Sequence, residues 1–264
     1  MREVLAHYEG TPEEGRLQSG WGVLELARTQ ELILRHLPPP PCRILDVGGG
    51  TGVYSYWLAE RGYEVHFLDL VPAQVAQVRQ SPGRIASIAV GDAQALTQPD
   101  HSFDAVLLLG PLYHLTARQA RLKALAEARR VLRPGGLLFA SAISHFASLL
   151  DSLVSGFIDD PQFAPIVQQD LRDGQHRNPT GNPLYFTTAF FHRPEELREE
   201  VVAAGLTLLE LSAIEGPGWL AKDFAQRWAD ESRRRQLMEW VRKVEHEPAL
   251  MGLSLHLLAI TRHP

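Results

Sequence analysis

Three aspartates and a run of glycines are the residues of this chain with the plainest chemical use. Asp46 stands two residues before the first of Gly48, Gly50 and Gly52, with Gly49 among them, and Asp69 and Asp92 each end a short apolar run or follow one closely. Glycines at that spacing let a backbone turn tightly and come close to a ligand. Carboxylates at strand ends accept hydrogen bonds from hydroxyl, amine and ammonium groups. From Arg43 to Leu70 the order is apolar run, glycine turn, helical spacing, apolar run, acid, which is a nucleotide-binding βαβ unit. A dinucleotide fingerprint needs a third glycine three residues after the second, and Val53 or Ser55 stands there instead. A nicotinamide-dependent oxidoreductase therefore fails on spacing. Asp46 would sit poorly beside a pyrophosphate and suits a ligand that carries an ammonium group.

The frame Asp46, Gly48, Gly50, Gly52 resembles the first motif of the class I S-adenosylmethionine-dependent methyltransferases, and Asp69 falls where that family places the acid ending its second strand. The resemblance implies that Asp69 accepts both ribose hydroxyls, that Asp92 accepts the adenine amino group, and that the N–H of Ala93 meets the ring nitrogen. It implies S-adenosylmethionine as cofactor, S-adenosylhomocysteine as product, and a cofactor set of Asp46, Gly48, Gly49, Gly50, Gly52, Asp69, Leu70, Asp92, Ala93 and Leu109. An N-terminal helix lies beside the pocket in the family, so Arg16 or Arg28 is a candidate partner of the methionine carboxylate, and Tyr8 or Trp21 a candidate cover. As a surface cation or a packing aromatic, each would have no such role. The segment after the fourth strand faces the substrate in this family, which makes Tyr113 and His114 candidates for the acceptor side. A histidine there can equally be structural, fixing the loop.

The elements that must position these groups follow from pattern. Trp21 to Leu37 reads as a helix ended by Pro38 to Pro41. A helix from Val53 to Arg61 stops at Gly62, and another opens at Pro72 and ends near Ser81-Pro82-Gly83. Ile85 to Val90 and Ala105 to Leu109 read as strands, the latter as a central parallel one. Thr116 and Gln119 form a capping-box sequence for a helix reaching Leu132, and after Arg133-Pro134-Gly135-Gly136 the fifth strand runs from Leu137 to Ser141. Pro194 opens a helix closed by Gly205, Leu206 to Ile214 is the sixth strand, and Ser254 to Thr261 the last.

The expectation is an α/β, Rossmann-like, seven-stranded and mostly parallel sheet, helices on both faces, the last strand antiparallel, with helical lid insertions. As one domain it divides into an N-terminal helical cap (1–37), a cofactor-binding core (38–144), a lid (145–192), further core (193–216), a second insertion (217–253) and the last strand (254–264). Residues 142–192 far exceed an ordinary connection. Their aromatics and histidines, Tyr185, Phe186, Phe190, Phe191 and His192 among them, fit a lid over a small-molecule pocket or the core of a capping subdomain.

The chain has 264 residues, a hydrophobic share of 45% and a net charge of −5, so no overall positive field draws it to nucleic acid. Cys42 is its single cysteine and excludes an internal disulfide. With no apolar leader and no long uncharged apolar run, the expectation is a cytoplasmic chain without membrane contact. No Cys/His cluster calls for a metal. Two counts argue against nucleic-acid methylation: Gly110-Pro111-Leu112-Tyr113 lacks the Asp or Asn associated with exocyclic base amines, and Cys42 precedes the first strand. The expected partner is a small O or N acceptor attacking the sulfonium methyl in line. Alignment supplies much of such a reaction, on the order of 7–11 kcal/mol. Where a proton must leave, His114, His145 or His192 suits neutral pH. The alternative is a protein that holds the cofactor, or a partner, without turnover.

Overall fold

The computed structural model describes residues 3, 7, 8, 15–81 and 83–264. The irregular start expected for the N-terminus lies mostly outside them, as does Pro82 in the expected helix end.

Seven strands form one sheet: β1 (Arg43–Val47), β2 (Glu64–Asp69), β3 (Ser87–Val90), β4 (Phe103–Leu108), β5 (Leu132–Ile143), β6 (Thr207–Ala213) and β7 (His256–Arg262). Their spatial order is 3-2-1-4-5-7-6. β1 to β5 pair parallel, and β7 runs antiparallel to both β5 and β6. This is the Rossmann-like arrangement expected from the sequence. The order reverses between β1 and β4, and the crevice at that switch point is where open α/β sheets bind ligands.

Alternation along each strand sends neighbouring side chains to opposite faces. Ile44, Val65, Ala105, Leu107 and Phe139 pack against α1 (Gly22–His36) and α2 (Val53–Ala59) through Leu32, Ile33, Trp57 and Leu58. α3 (Pro72–Gln80) joins that face by setting Val75 and Val78 on Phe67. Leu45, Val47, Val106, Leu138 and Ala140 meet the other layer, α4 (Arg118–Val131) and α7 (Pro194–Ala203), through Leu125, Ala128, Leu197 and Val201. Gly62, at φ 88°, closes the end of α2 in the left-handed conformation that glycine adopts freely.

Most elements start or end within a residue or two of expectation, and at two boundaries the difference has a visible cause. α4 starts at Arg118 behind Ala117, with no side-chain cap, so Thr116 forms no capping box. Its carbonyl instead accepts from the Arg121 guanidinium at 3.0 Å. β5 begins at Leu132 rather than Leu137, because the Arg133–Gly136 segment is drawn into the sheet. The N–H of Gly135 donates to the His263 carbonyl and the N–H of His263 to that of Gly136, each at 2.9 Å.

Between β5 and α7 lie α5 (Ala147–Ser155), α6 (Ala164–Asp173) and a short antiparallel ladder of Gln175–His176 with Ala189–Phe190. The segment returns to the sheet at a parallel bridge between Ser144 and His192. After β6, residues 216–251 form short helical turns and α8 (Glu231–Val244), which pack on α1 through Leu24, Trp219, Phe224 and Leu237. Among the described residues no helix is long and apolar enough to cross a membrane.

Candidate functional site

At the carboxyl edge of β1, β2 and β4 lies a cavity of about 440 Å³ lined by Asp46, the turn from Gly48 to Gly50, Asp69, Leu70, Asp92, Ala93 and Leu109. The turn is built for close approach. Gly48, Gly50 and Gly52 have φ of 71°, 55° and 80°. A Cβ on Gly49 would stand 2.5 Å from the Phe67 ring, whereas one on Gly50 would meet no protein atom within 4 Å. The backbone thus faces open space and rests on the sheet behind it.

Each acid is held by short-range bonds. Asp69 accepts the Gly50 and Val71 N–H groups, both at 2.8 Å, one on each oxygen, which ties the turn to the end of β2. Burial pushes its carboxyl upward, against the pull of those N–H donors. Asp46 is 1% exposed and accepts the Ser55 hydroxyl at 2.7 Å. Burial raises it to about 7, with the nearby Asp69 charge adding to the shift. A carboxyl so placed gains from a cationic partner. Asp92 accepts the Gln94 N–H at 2.9 Å, an Asx turn that fixes the end of β3.

The other half of the cavity is walled by the helical turn Pro111–His114, by α5 and by aromatic residues of the 157–191 segment. Tyr113 donates its hydroxyl to the Leu109 carbonyl. His114 donates from Nδ1 to the Thr188 carbonyl at 3.2 Å, so its Nε2 accepts from the Tyr8 hydroxyl at 2.7 Å. Burial pushes its imidazole down to about 4, so it is neutral at pH 7.

Four sequence candidates do not reach the cavity. Arg28 is 0% exposed and is consumed by Glu245, by Glu31 at 2.8 Å and by the Ile214 carbonyl at 3.2 Å. It locks α1 to the segment after β6 and is not a carboxylate ligand of the pocket. His192 is also 0% exposed, with Nε2 at 3.3 Å from Glu200. Glu200 in turn takes the Arg121 guanidinium at 2.6 Å, and that guanidinium lies 3.7 Å from the centre of the Phe190 ring. His192 therefore anchors the end of the segment between β5 and α7, away from the cavity. His145 is likewise buried, with Nε2 on the Leu171 carbonyl at 3.2 Å. Trp21 packs edge-on against Trp219, outside the cavity lining. Arg16 does line the cavity, in a bidentate pair with Glu25 at 2.7 and 3.1 Å.

Residues that sequence reasoning passed over also stand on the wall. His256, first in β7, donates Nδ1–H to Glu215 at 2.7 Å, with Glu25 at 3.8 Å. Burial opposes its charge, but the two carboxylates prevail and raise its pKa. Glu25, Glu215 and His256 bring ligand atoms within 4.8 Å of one another. Arg16 on Glu25 and the Ser254 hydroxyl on Glu215 at 2.7 Å complete that network as ion pairs and hydrogen bonds. His176 sets both ring nitrogens on acceptors, Asp170 and the Tyr185 carbonyl, each at 2.8 Å. Ser148 and Asp151 project from α5. The signal for His256 was its place at the start of the last strand, which antiparallel pairing puts opposite Ile143 at the end of β5.

Residues 45–140 match the family model described as a methyltransferase domain. The chain is 40% identical over 113 residues to the ubiquinone/menaquinone biosynthesis C-methyltransferase UbiE of Methylobacterium nodulans, covering 40% of this chain and 43% of the relative. It is 36% identical over 150 residues to the malonyl-[acyl-carrier protein] O-methyltransferase of Methylococcus capsulatus, 53% of each chain. The chain thus spans about half the length of the curated relatives it matches. A crystal structure of a SAM-dependent methyltransferase from Methanosarcina mazei superposes with a TM-score of 0.58 at 18% identity, over 88% of this chain and 96% of that one.

Proposed function

We infer, from the premise that the core of this chain belongs to the class I S-adenosylmethionine-dependent methyltransferases, that the whole chain methylates a small-molecule acceptor at oxygen or nitrogen. The observation that carries the reading is the gathering of Asp46, Asp69 and Asp92 around one glycine turn at the switch point of the sheet. The donor set fits the cofactor. Asp46, buried and unpaired with any cation among the described residues, suits an ammonium group. Asp69 keeps lone pairs beyond its two backbone bonds for a ribose diol, and Asp92 with the Ala93 N–H suits an adenine edge. Tyr8 covers the cavity from the N-terminal side. When bound, S-adenosylmethionine supplies an electrophilic methyl group.

This chain's own task is then to align and dry the acceptor. Tyr113, fixed by its bond to Leu109, sets the border between the two halves of the cavity. His114 is neutral, with Nδ1 on the Thr188 carbonyl and Nε2 on the Tyr8 hydroxyl, and so serves to position that hydroxyl more than as a strong base. His256, oriented by Glu215, is the better placed to exchange a proton near pH 7. The test is calorimetric titration with S-adenosylmethionine, with NAD as control, on the wild type and Asp69→Ala. Binding of S-adenosylmethionine alone, weakened in the variant, is the expected result. Binding of neither ligand would refute the reading and turn the search to protein partners.

A further inference from the structure

Asp151 separates itself from the other acids of the cavity. Asp46 accepts from Ser55, Asp69 from two backbone N–H groups and Asp92 from Gln94. Asp151 lines the same cavity with no hydrogen bond or ion pair to any described residue. Ser148, one helical turn earlier on α5, is 7% exposed, and its hydroxyl is buried on the cavity wall without a partner. Residues three apart on a helix share a face, so the two groups converge. A buried hydroxyl left unmet costs the fold free energy unless a ligand meets it, and the Asp151 carboxylate beside it is partly open to the cavity.

Their surroundings decide the sign of that ligand. Phe157, Phe163 and Tyr185 line the same chamber as a cluster, with ring centres 4.8 to 5.9 Å apart. Aromatic faces attract cations, and a low-dielectric wall strengthens the pull of an unscreened carboxylate. Among the described residues no lysine lines the cavity, and the one arginine that does, Arg16, is held by Glu25.

We propose that the acceptor chamber binds a small molecule bearing an ammonium group, which donates to the Asp151 carboxylate and the Ser148 hydroxyl beside the Phe157–Phe163–Tyr185 rings. The proposal rests on the methyltransferase reading of the site and narrows its acceptor to an amine. Burial raises the Asp151 carboxyl in the free protein, and an ammonium partner reverses that shift.

The experiment titrates three isosteric probes, tryptamine, indole-3-ethanol and indole-3-propanoate, into the full chain saturated with S-adenosylhomocysteine, followed by NMR. The wild type is expected to take tryptamine about tenfold more tightly than the alcohol and to reject the propanoate. Asp151→Asn should bring tryptamine and the alcohol within about twofold of each other, and Ser148→Ala should weaken tryptamine about threefold. Equal binding of amine and alcohol by the wild type, an amine preference that survives in Asp151→Asn, or no binding of any probe would overturn the proposal. The cofactor reading fails separately, on absence of S-adenosylhomocysteine binding. The same three probes on the unloaded chain then still decide the amine preference.

Discussion

At the glycine turn the polar contacts are local. Asp69 reaches Val71 and Gly50, Asp92 reaches Gln94, and Asp46 reaches Ser55. Around the segment between β5 and α7 they span the chain. Glu200 gathers Arg121 and His192, His145 meets Arg193, and His114 meets Tyr8 and Thr188. The first half is set by backbone geometry that any ligand-free fold must already possess. The second is a set of buried polar anchors linking elements far apart in sequence, wrapped around aromatic walls. Cofactor recognition and acceptor recognition should therefore respond differently to mutation.

The largest effect is expected from Glu200→Ala, which strands the buried Arg121 guanidinium and removes the partner of His192. Loss of one partner of such a pair costs roughly 3–5 kcal/mol, read from urea unfolding. Affinity for S-adenosylhomocysteine, measured on the folded protein, should stay within about threefold. A collapse of both together would erase the distinction between the halves.

Next comes Asp69→Ala, which removes the proposed acceptor for the ribose and frees the Gly50 N–H. Loss of charge-assisted hydrogen bonds worth about 3 kcal/mol in total corresponds to an affinity drop on the order of 100-fold by calorimetry.

Asp46 sharpens the comparison through pH. Its folded carboxyl, at about 7, binds a proton that the unfolded chain has already released, so the free protein loses stability as pH rises from about 4 through 7. Asp46→Asn should flatten that slope and raise the melting temperature at pH 8, while weakening the cofactor. In the wild type, cofactor affinity should climb with pH up to about 7, because a cationic ligand selects the carboxylate. Melting curves and titrations at pH 5.5, 7 and 8.5 check both signs, and a pH-independent affinity would remove Asp46 from the ligand site.

The smallest effect on affinity belongs to Arg28→Met. It should lower stability through Glu245 and leave cofactor affinity within about twofold, as its guanidinium serves α1 and not the cavity. A large loss of affinity would restore it as a carboxylate ligand.

The local half was legible in the sequence for the same reason that it is local. A strand end, a glycine spacing and an acid are all written within a few residues, and the parallel order then brings them to one crevice. Arg28 and His192 were misread because their partners lie elsewhere in the chain, Glu245 for one and Glu200 with Arg121 for the other. Titratable type alone cannot separate a ligand from a buried anchor. His256, Ser148 and Asp151 were missed for the opposite reason. Nothing in their neighbourhoods resembles a motif, and only the antiparallel pairing of β7 and the facing of α5 carry them to the cavity.

The placement of β7 between β5 and β6 has a consequence for how the molecule is made. β6 leaves the ribosome before the strand it must pair with, so its backbone groups and the free edge of β5 wait until residues 256–262 follow. An unpaired edge in a growing chain is a template for other chains. Nascent molecules stalled short of β7 should carry a formed glycine turn beside an open sheet, competent in outline for the cofactor yet prone to associate. The strand that sets His256 on the cavity wall is also the one that seals the sheet against its neighbours.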